Sequence, residues 1–315
     1  MSRLDAIYPR DRVSLREVGL RDGLQLTTAF PSTEAKRDWL ARESAAGVRH
    51  FEIGSFLPVK SAPQFADLRE VIAICRELGV HSSALALNER GAVDAVGSGV
   101  DEIVCVVSAT EDHSQANMRR SIGDAVELVR KTVRLAAESG HRPVVYAGVA
   151  MAFGCSISGD VRERDVVRIA RDCARAGADV IGLADTVGYA GPDQIASLCR
   201  QVAPVIGDAR LGIHLHDTRG MGLANAAAAL DAGVRIVDAS LGGLGGCPFA
   251  PGATGNIVME DLVFLCERKG FGTGIDLDRL VAVRDVPAAE MPDEQLYGAM
   301  ARAGAPKLAW RSATN

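Results

Sequence analysis

Arg21 and Asp22 stand side by side in REVGLRDGLQ, and His214 and His216 lie two apart in GIHLHD. On a strand, residues two apart point to the same face. Two imidazoles turned inward without partners would be costly polar burial, so a His-x-His pair at a strand end points to metal ligation. Asp22 can add a hard carboxylate oxygen. Asn256, closing the stretch SLGGLGGCPFAPGATGN, can add a side-chain carbonyl. A mixed His/His/Asp/Asn set with open positions suits octahedral Mg²⁺ or Mn²⁺ better than a closed tetrahedral zinc site. Ligation by Cys247 is the competing arrangement; it would favour zinc and silence the thiol. Arg21 cannot serve as a base, but it can hold a fixed positive charge against an oxyanion that forms during reaction. A plain salt bridge to Glu17 or Glu52 explains it equally well.

Cys247 differs from the other six cysteines. Cys75, Cys105, Cys173, Cys199 and Cys266 fall in apolar helix or strand patterns and read as inert core residues, and Cys155 at a strand end is ambiguous. Cys247 alone follows a run of glycines, Gly242, Gly243, Gly245 and Gly246, that permits unusual backbone angles and a swinging loop. A thiol on such a hinge can be a nucleophile or a proton donor. No histidine adjoins it in sequence, and an ordinary thiol pKa near ~8.5 leaves it mostly protonated, which suits a donor.

These residues need elements that bring them to one place. Seven times a helical pattern ends in glycine and runs into a β-branched segment, at Gly47, Gly79, Gly99, Gly140, Gly177, Gly207 and Gly233. Glycine is expected there in the left-handed conformation that closes helices. With the opening run VSLREV this makes eight short apolar strands alternating with amphipathic segments such as STEAKRDWLARESAA, the arrangement of a single (β/α)₈ TIM barrel. The runner-up, an open doubly wound sheet, would want a Gly-x-Gly-x-x-Gly turn after the first strand, and EVGLRDGLQ is not one. The barrel spans about residues 13–269, with 270–315 as a C-terminal extension. Chemistry in such barrels gathers at the C-terminal strand ends. Those ends carry Arg21 and Asp22, Glu52 and Ser55, Asn88 and Glu89, Asp185 and Thr186, and His214, His216 and Asp217; Asn88 and Glu89 read as simple strand-end polarity.

The net charge of −5 gives no footprint for nucleic acid or an anionic membrane. Seven scattered cysteines without a Cys-x-x-Cys pair argue for a reducing compartment, and MSRLDAIYPRDR has no secretory apolar core, so the expected location is cytoplasmic.

REVGLRDGLQ, GIHLHDTRGMGLAN and SLGGLGGCPFAPGATGN together resemble the 3-hydroxy-3-methylglutaryl-CoA lyase family, within the wider barrel metallolyase and Claisen-synthase group. The resemblance runs from about Val13 to Lys269. It implies metal ligands at Asp22, His214, His216 and Asn256, a catalytic arginine at Arg21 and a catalytic cysteine at Cys247. Glu52 and Asp185 match supporting acids, and Ser55 and Thr186 are candidate substrate contacts alongside Arg21. The implied reaction is a retro-Claisen cleavage of a 3-hydroxyacyl-CoA to acetyl-CoA and a keto acid, and the implied assembly is a homodimer. Several positions depart from the family pattern: LTTAF replaces Asn-Glu after DGLQ, GCSISG lacks a proline, and MARAGAPKLAW differs from an Asn-x-Lys coenzyme contact. Gly182 stands where many members have serine, which predicts space beside strand six and makes a related substrate such as citramalyl-CoA the alternative. A condensing synthase or a non-catalytic binding barrel are the remaining readings.

Overall fold

The computed structural model describes residues 3–245, 255–304 and 306. Eight strands form a closed, wholly parallel barrel: β1 Ser14–Glu17, β2 His50–Ser55, β3 His81–Leu85, β4 Glu102–Ser108, β5 Val144–Ala150, β6 Val180–Asp185, β7 Arg210–Leu215 and β8 Ile236–Ala239. The barrel closes where β8 pairs with β1, from Ser14 opposite Ile236 to Glu17 opposite Ala239. The eight strands fall where the glycine-to-apolar junctions predict them, and the open-sheet alternative is excluded.

The local signals work as their chemistry requires. Ser32 caps the helix Thr33–Ala46 by accepting from the Ala35 amide, and Gly47 ends it at φ 113°. Gly79, Gly99, Gly177, Gly207 and Gly233 also take positive φ. Gly140 does not. The preceding helix, Ile122–Glu138, ends on Ser139 in extended backbone, whose hydroxyl donates to Ala136 O and accepts from the Arg142 amide. That side-chain turn replaces the glycine stop, and the left-handed residue is Arg142 instead.

The barrel interior is mostly apolar, but its axis holds a file of buried charges. The Arg16 guanidinium lies 2.8 Å from Asp238 on one side and 2.8 Å from Glu102 on the other, and Glu102 also accepts from the Tyr8 hydroxyl at 2.7 Å. Gly148, Gly182 and Gly212 stand opposite one another in register across β5, β6 and β7. The Tyr146 ring lies over this row: a Cβ on Gly182 would overlap its hydroxyl, and one on Gly212 would come within 2.8 Å of it. The space expected beside Gly182 is therefore filled from within the chain.

A second buried cluster sits outside the β1–β8 seam. Glu17 Oε1 accepts from the amides of Gly19 (2.6 Å) and Leu241 (3.1 Å). Glu260 accepts from the Gly242 amide and pairs with Arg284 at 2.6 Å. Glu17 Oε2 and both carboxyl oxygens of Glu43 are buried without a donor, an arrangement that requires a proton between two facing carboxyls. Burial pushes the Glu17 carboxyl up to about 8 against its backbone donors, and burial together with Glu17 and Glu260 pushes Glu43 well above the usual range. Three short helices, Leu277–Ala282, Asp285–Glu290 and Ala299–Ala303, complete this side; Tyr297 N donates to Gly242 O at 2.7 Å.

Because the folded chain holds these protons more tightly than the unfolded chain, stability should fall as pH rises from about 4.5 to about 8. Glu43→Gln, which keeps a neutral donor, should flatten that fall. Thermal melting across this pH range checks it; parallel slopes for wild type and variant would show that Glu43 holds no such proton.

Candidate active site

The first βα connection opens with a single π-type turn, Gly19–Gly23, in which the Gly23 amide reaches back to Val18 O. The wider turn brings two consecutive side chains, Arg21 and Asp22, to the barrel mouth. Across from them, His214 ends inside β7 and His216 follows it, their Nε2 atoms 3.1 Å apart. Asp22 Oδ2 lies 3.4 Å from His216 Nε2 and 3.9 Å from His214 Nε2. Three potential ligand atoms thus converge within 4.8 Å of one another. The Asn256 amide nitrogen is 2.8 Å from Asp22 Oδ2 and 2.9 Å from Leu244 O, while its Oδ1 is buried with no partner. An orphaned amide oxygen beside two imidazoles and a carboxylate fits a hard divalent cation.

Charge supports the same fit. Arg21 pairs with Asp22 and, at 2.8 Å, with Glu52. His214 Nδ1 sits 3.1 Å from Asp238 Oδ2, whose other oxygen holds Arg16. Along this file four carboxylates, Asp22, Glu52, Asp238 and Glu102, face two guanidiniums. That surplus of carboxylates over guanidiniums suits a cation at the rim. Burial disfavours the Asp22 anion, but Arg21, His216 and His214 outweigh it and hold the carboxyl well below its ordinary range. Burial likewise works against charged His214, and the bond to Asp238 prevails, raising it.

The cluster opens into a cavity of roughly 580 Å³. Its interior wall is apolar, with Leu85, Val104 and Val106; Gln25, Ser61, Gln64 and Asn117 also line it. Ser55 and Thr186 line it too, with Ser55 bonded weakly to Leu85 O at 3.4 Å and Thr186 accepting from the Met151 amide at 3.0 Å. Asp185 stands back from it. Both of its oxygens accept from backbone, Tyr189 N at 2.8 Å and Ala190 N at 3.2 Å, so it shapes the loop behind β6. Burial raises its pKa in spite of those two donors. Asn88 caps the helix Glu89–Ser98, and Glu89 pairs with Lys131 on the surface, the structural roles expected of them. The salt bridge foreseen for Arg21 exists to Glu52, and the same guanidinium lines the cavity. Cys247 lies outside the described residues.

The five cysteines assigned to the core are buried, with burial pushing Cys105 up to about 11 and Cys75, Cys173, Cys199 and Cys266 up to about 12. Cys155 is buried as well; burial opposes its ionisation, but Thr110 and the amides of Ser158 and Ile157 lower its pKa. Three residues at the site carried no motif: Asp238, Arg16 and Tyr146. For Arg16 and Asp238 the available signal was a charged residue at an inward position of a barrel strand, as in SLRE and IVDA.

Residues 12–286 match the HMGL-like family model. The chain belongs to the HMGL-like family. A hydroxymethylglutaryl-CoA lyase of Pseudomonas mevalonii is 38% identical over 86% of this chain and 90% of its own length. An (R)-citramalyl-CoA lyase of Chloroflexus aurantiacus is also 38% identical, over 87% and 90%. Among solved structures, an HMG-CoA lyase from Acinetobacter baumannii in complex with coenzyme A and 3-methylmalate superposes with a TM-score of 0.85 at 36% identity, covering 95% of this chain and 97% of that one. This member of the HMGL-like family thus resembles enzymes named for different acyl groups at equal identity.

If the cluster is a metal centre, the chelated protein should take up a divalent ion, and His216→Ala should all but abolish uptake. Asp238→Asn, which weakens the group orienting His214 as well as its pairing with Arg16, should weaken uptake by about 10–100-fold. Mn²⁺ titration followed by electron paramagnetic resonance reads both; an unchanged affinity in His216→Ala removes the metal reading.

Proposed function

We propose that this chain is a divalent-metal-dependent carbon–carbon lyase that cleaves 3-hydroxy-3-methylglutaryl-CoA to acetyl-CoA and acetoacetate. The observation that carries the reading is the convergence of Asp22, His214 and His216 beside the Arg21 guanidinium at the mouth of an apolar cavity. The equal similarity to a citramalyl-CoA lyase keeps that substrate as the second reading.

Asp22, His214, His216 and Asn256 would hold Mg²⁺ or Mn²⁺. Such an ion supplies Lewis acidity that lowers the pKa of the substrate's tertiary hydroxyl. The hydroxyl proton passes to Asp22 or a group next to it. As the C2–C3 bond breaks, its electron pair leaves with the thioester fragment as an enolate, and C3 becomes the ketone of the released acid. Arg21, held by Glu52, faces the enolate oxygen with a charge already in place. The enolate carbon then takes a proton from the Cys247 thiol, giving acetyl-CoA. Asp238 fixes the ring of His214, and Asp185 fixes the loop that presents Thr186. Ser55 and Thr186 contact the acyl unit. The scattered free thiols fit a reducing cytoplasm, and the family resemblance supports a homodimer. Among the described residues no helix is long and apolar enough to cross a membrane.

Mixing the Mg²⁺-loaded protein with a panel of 3-hydroxyacyl-CoAs should release acetyl-CoA. Arg21→Met should lower kcat by several orders of magnitude with little change in KM, since its charge matters most as the enolate forms. A loss confined to KM would make Arg21 a binding residue. Cys247→Ser should keep metal uptake and lose most cleavage, because a hydroxyl is the weaker acid. Limited alkylation should inactivate at Cys247 first, and peptide mapping that finds it modified in fully active enzyme would assign the proton elsewhere.

A further inference from the structure

The Tyr146 side chain covers the row where three glycines meet. Gly148, Gly182 and Gly212 are in register on adjacent strands, and the phenol lies across the last two closely enough that neither could carry a Cβ without displacing it. The Arg16 guanidinium lies over the ring, 4.5 Å from its centroid. Arg16 is itself fixed by Asp238 and Glu102, both at 2.8 Å. The tyrosine therefore has little freedom to move aside.

Its position relative to the metal cluster follows from the strand register. Gly212 lies two residues before His214 on β7, so the phenol sits one inward-facing layer beneath the cluster. Tyr146, Gly182, Leu85, Val104 and His214 all line the same cavity. An acyl unit with its hydroxyl at the cluster and its coenzyme arm leaving by the mouth has Leu85, Val104 and Val106 as the apolar surface for its carbon-3 branch, and the Tyr146 ring belongs to the same lining, below the cluster.

We propose that Tyr146 is a specificity-determining residue, the floor that limits the length of the apolar carbon-3 substituent this site accepts. The inference rests on the lyase reading above and adds to it a substrate class: 3-hydroxyacyl-CoAs with a short alkyl branch at carbon 3. Burial, with Asp238 adding to it, keeps the phenol neutral, so the ring acts by its volume.

The test compares wild type, Tyr146→Phe and Tyr146→Ala on 3-hydroxyacyl-CoAs carrying a methyl or a propyl group at carbon 3. Tyr146→Phe should leave the propyl-to-methyl ratio of kcat/KM unmoved. Tyr146→Ala should raise it by about tenfold or more, the scale on which hydrophobic pockets sort added methylenes. Metal affinity should stay the same in both. An unchanged ratio in an active Tyr146→Ala enzyme overturns the proposal, and so does a ratio that Tyr146→Phe moves as far as Tyr146→Ala does. Should Tyr146→Ala not fold, Tyr146→Leu carries the same test with a smaller expected rise. Dissociation constants for 3-methylglutaryl-CoA and 3-propylglutaryl-CoA, which lack the hydroxyl and cannot be cleaved, separate the two readings. If wild type cleaves nothing but the variant still binds the propyl compound relatively tighter, the lyase reading fails and the floor stands. If cleavage occurs and the binding ratio does not move, the floor fails alone.

Discussion

Arg16 is the residue on which the centre of the barrel depends. A guanidinium cannot shed its charge, and burying it unpaired in an apolar interior would cost far more than the chain's margin of stability. It is 1% exposed, so Asp238 and Glu102 must meet it from either side. That requirement has structural reach. Holding one oxygen of Asp238 frees the other to orient His214, and so links a charge at the core to a candidate ligand at the rim. The same guanidinium carries Tyr146 on its face. Hydrophobic residues of equal volume would stabilise the core at least as well, and buried ion pairs are weak evidence of stability. What the charged file contributes is position: through Arg16 and Asp238 it fixes His214 and the Tyr146 ring relative to one another.

The rim shows the complementary problem. There the negative groups outnumber the positive ones, and the structure keeps Asp22 ionised against burial by surrounding it with Arg21, His216 and His214. Arg21 in turn is shared between Asp22 and Glu52. A guanidinium tied to two carboxylates is already oriented, so it would need little reorganisation to meet the enolate charge proposed for this site. This is why a salt bridge and a catalytic role, alternatives when only the local sequence is considered, are compatible in the fold.

The barrel itself was legible because its signals are local: each glycine stop and β-branched run reports on the few residues around it. The rim residues were legible because strand ends are functional positions in this architecture and because a His-x-His spacing fixes a shared face. Tyr146 was not, since its fit depends on glycines 36 and 66 positions away, and a glycine in an isolated strand looks like space. Gly182 reads as an opening until β5 is laid beside β6. Gly140 failed for the opposite reason: Ser139 supplied a side-chain turn one residue early, and a stronger local bond pre-empted the expected stop. Asp238 and Glu43 carry no motif at all. Their roles arise from which strands and helices become neighbours.

Glu17 joins the two halves of the site. One carboxylate oxygen holds the Gly19 amide, where the turn bearing Arg21 and Asp22 begins, and the Leu241 amide, where the glycine-rich stretch begins. The far end of that stretch is also tied: Asp217 N donates to Gly255 O at 2.8 Å, and Asn256 reaches Asp22. Both ends of the segment carrying Cys247 are therefore referenced to the same turn that supplies Asp22, the carboxylate of the candidate metal cluster. Backbone amides from both halves thus meet on one buried acid, Glu17. The chemistry at the mouth is thus held from behind by a group that never touches substrate.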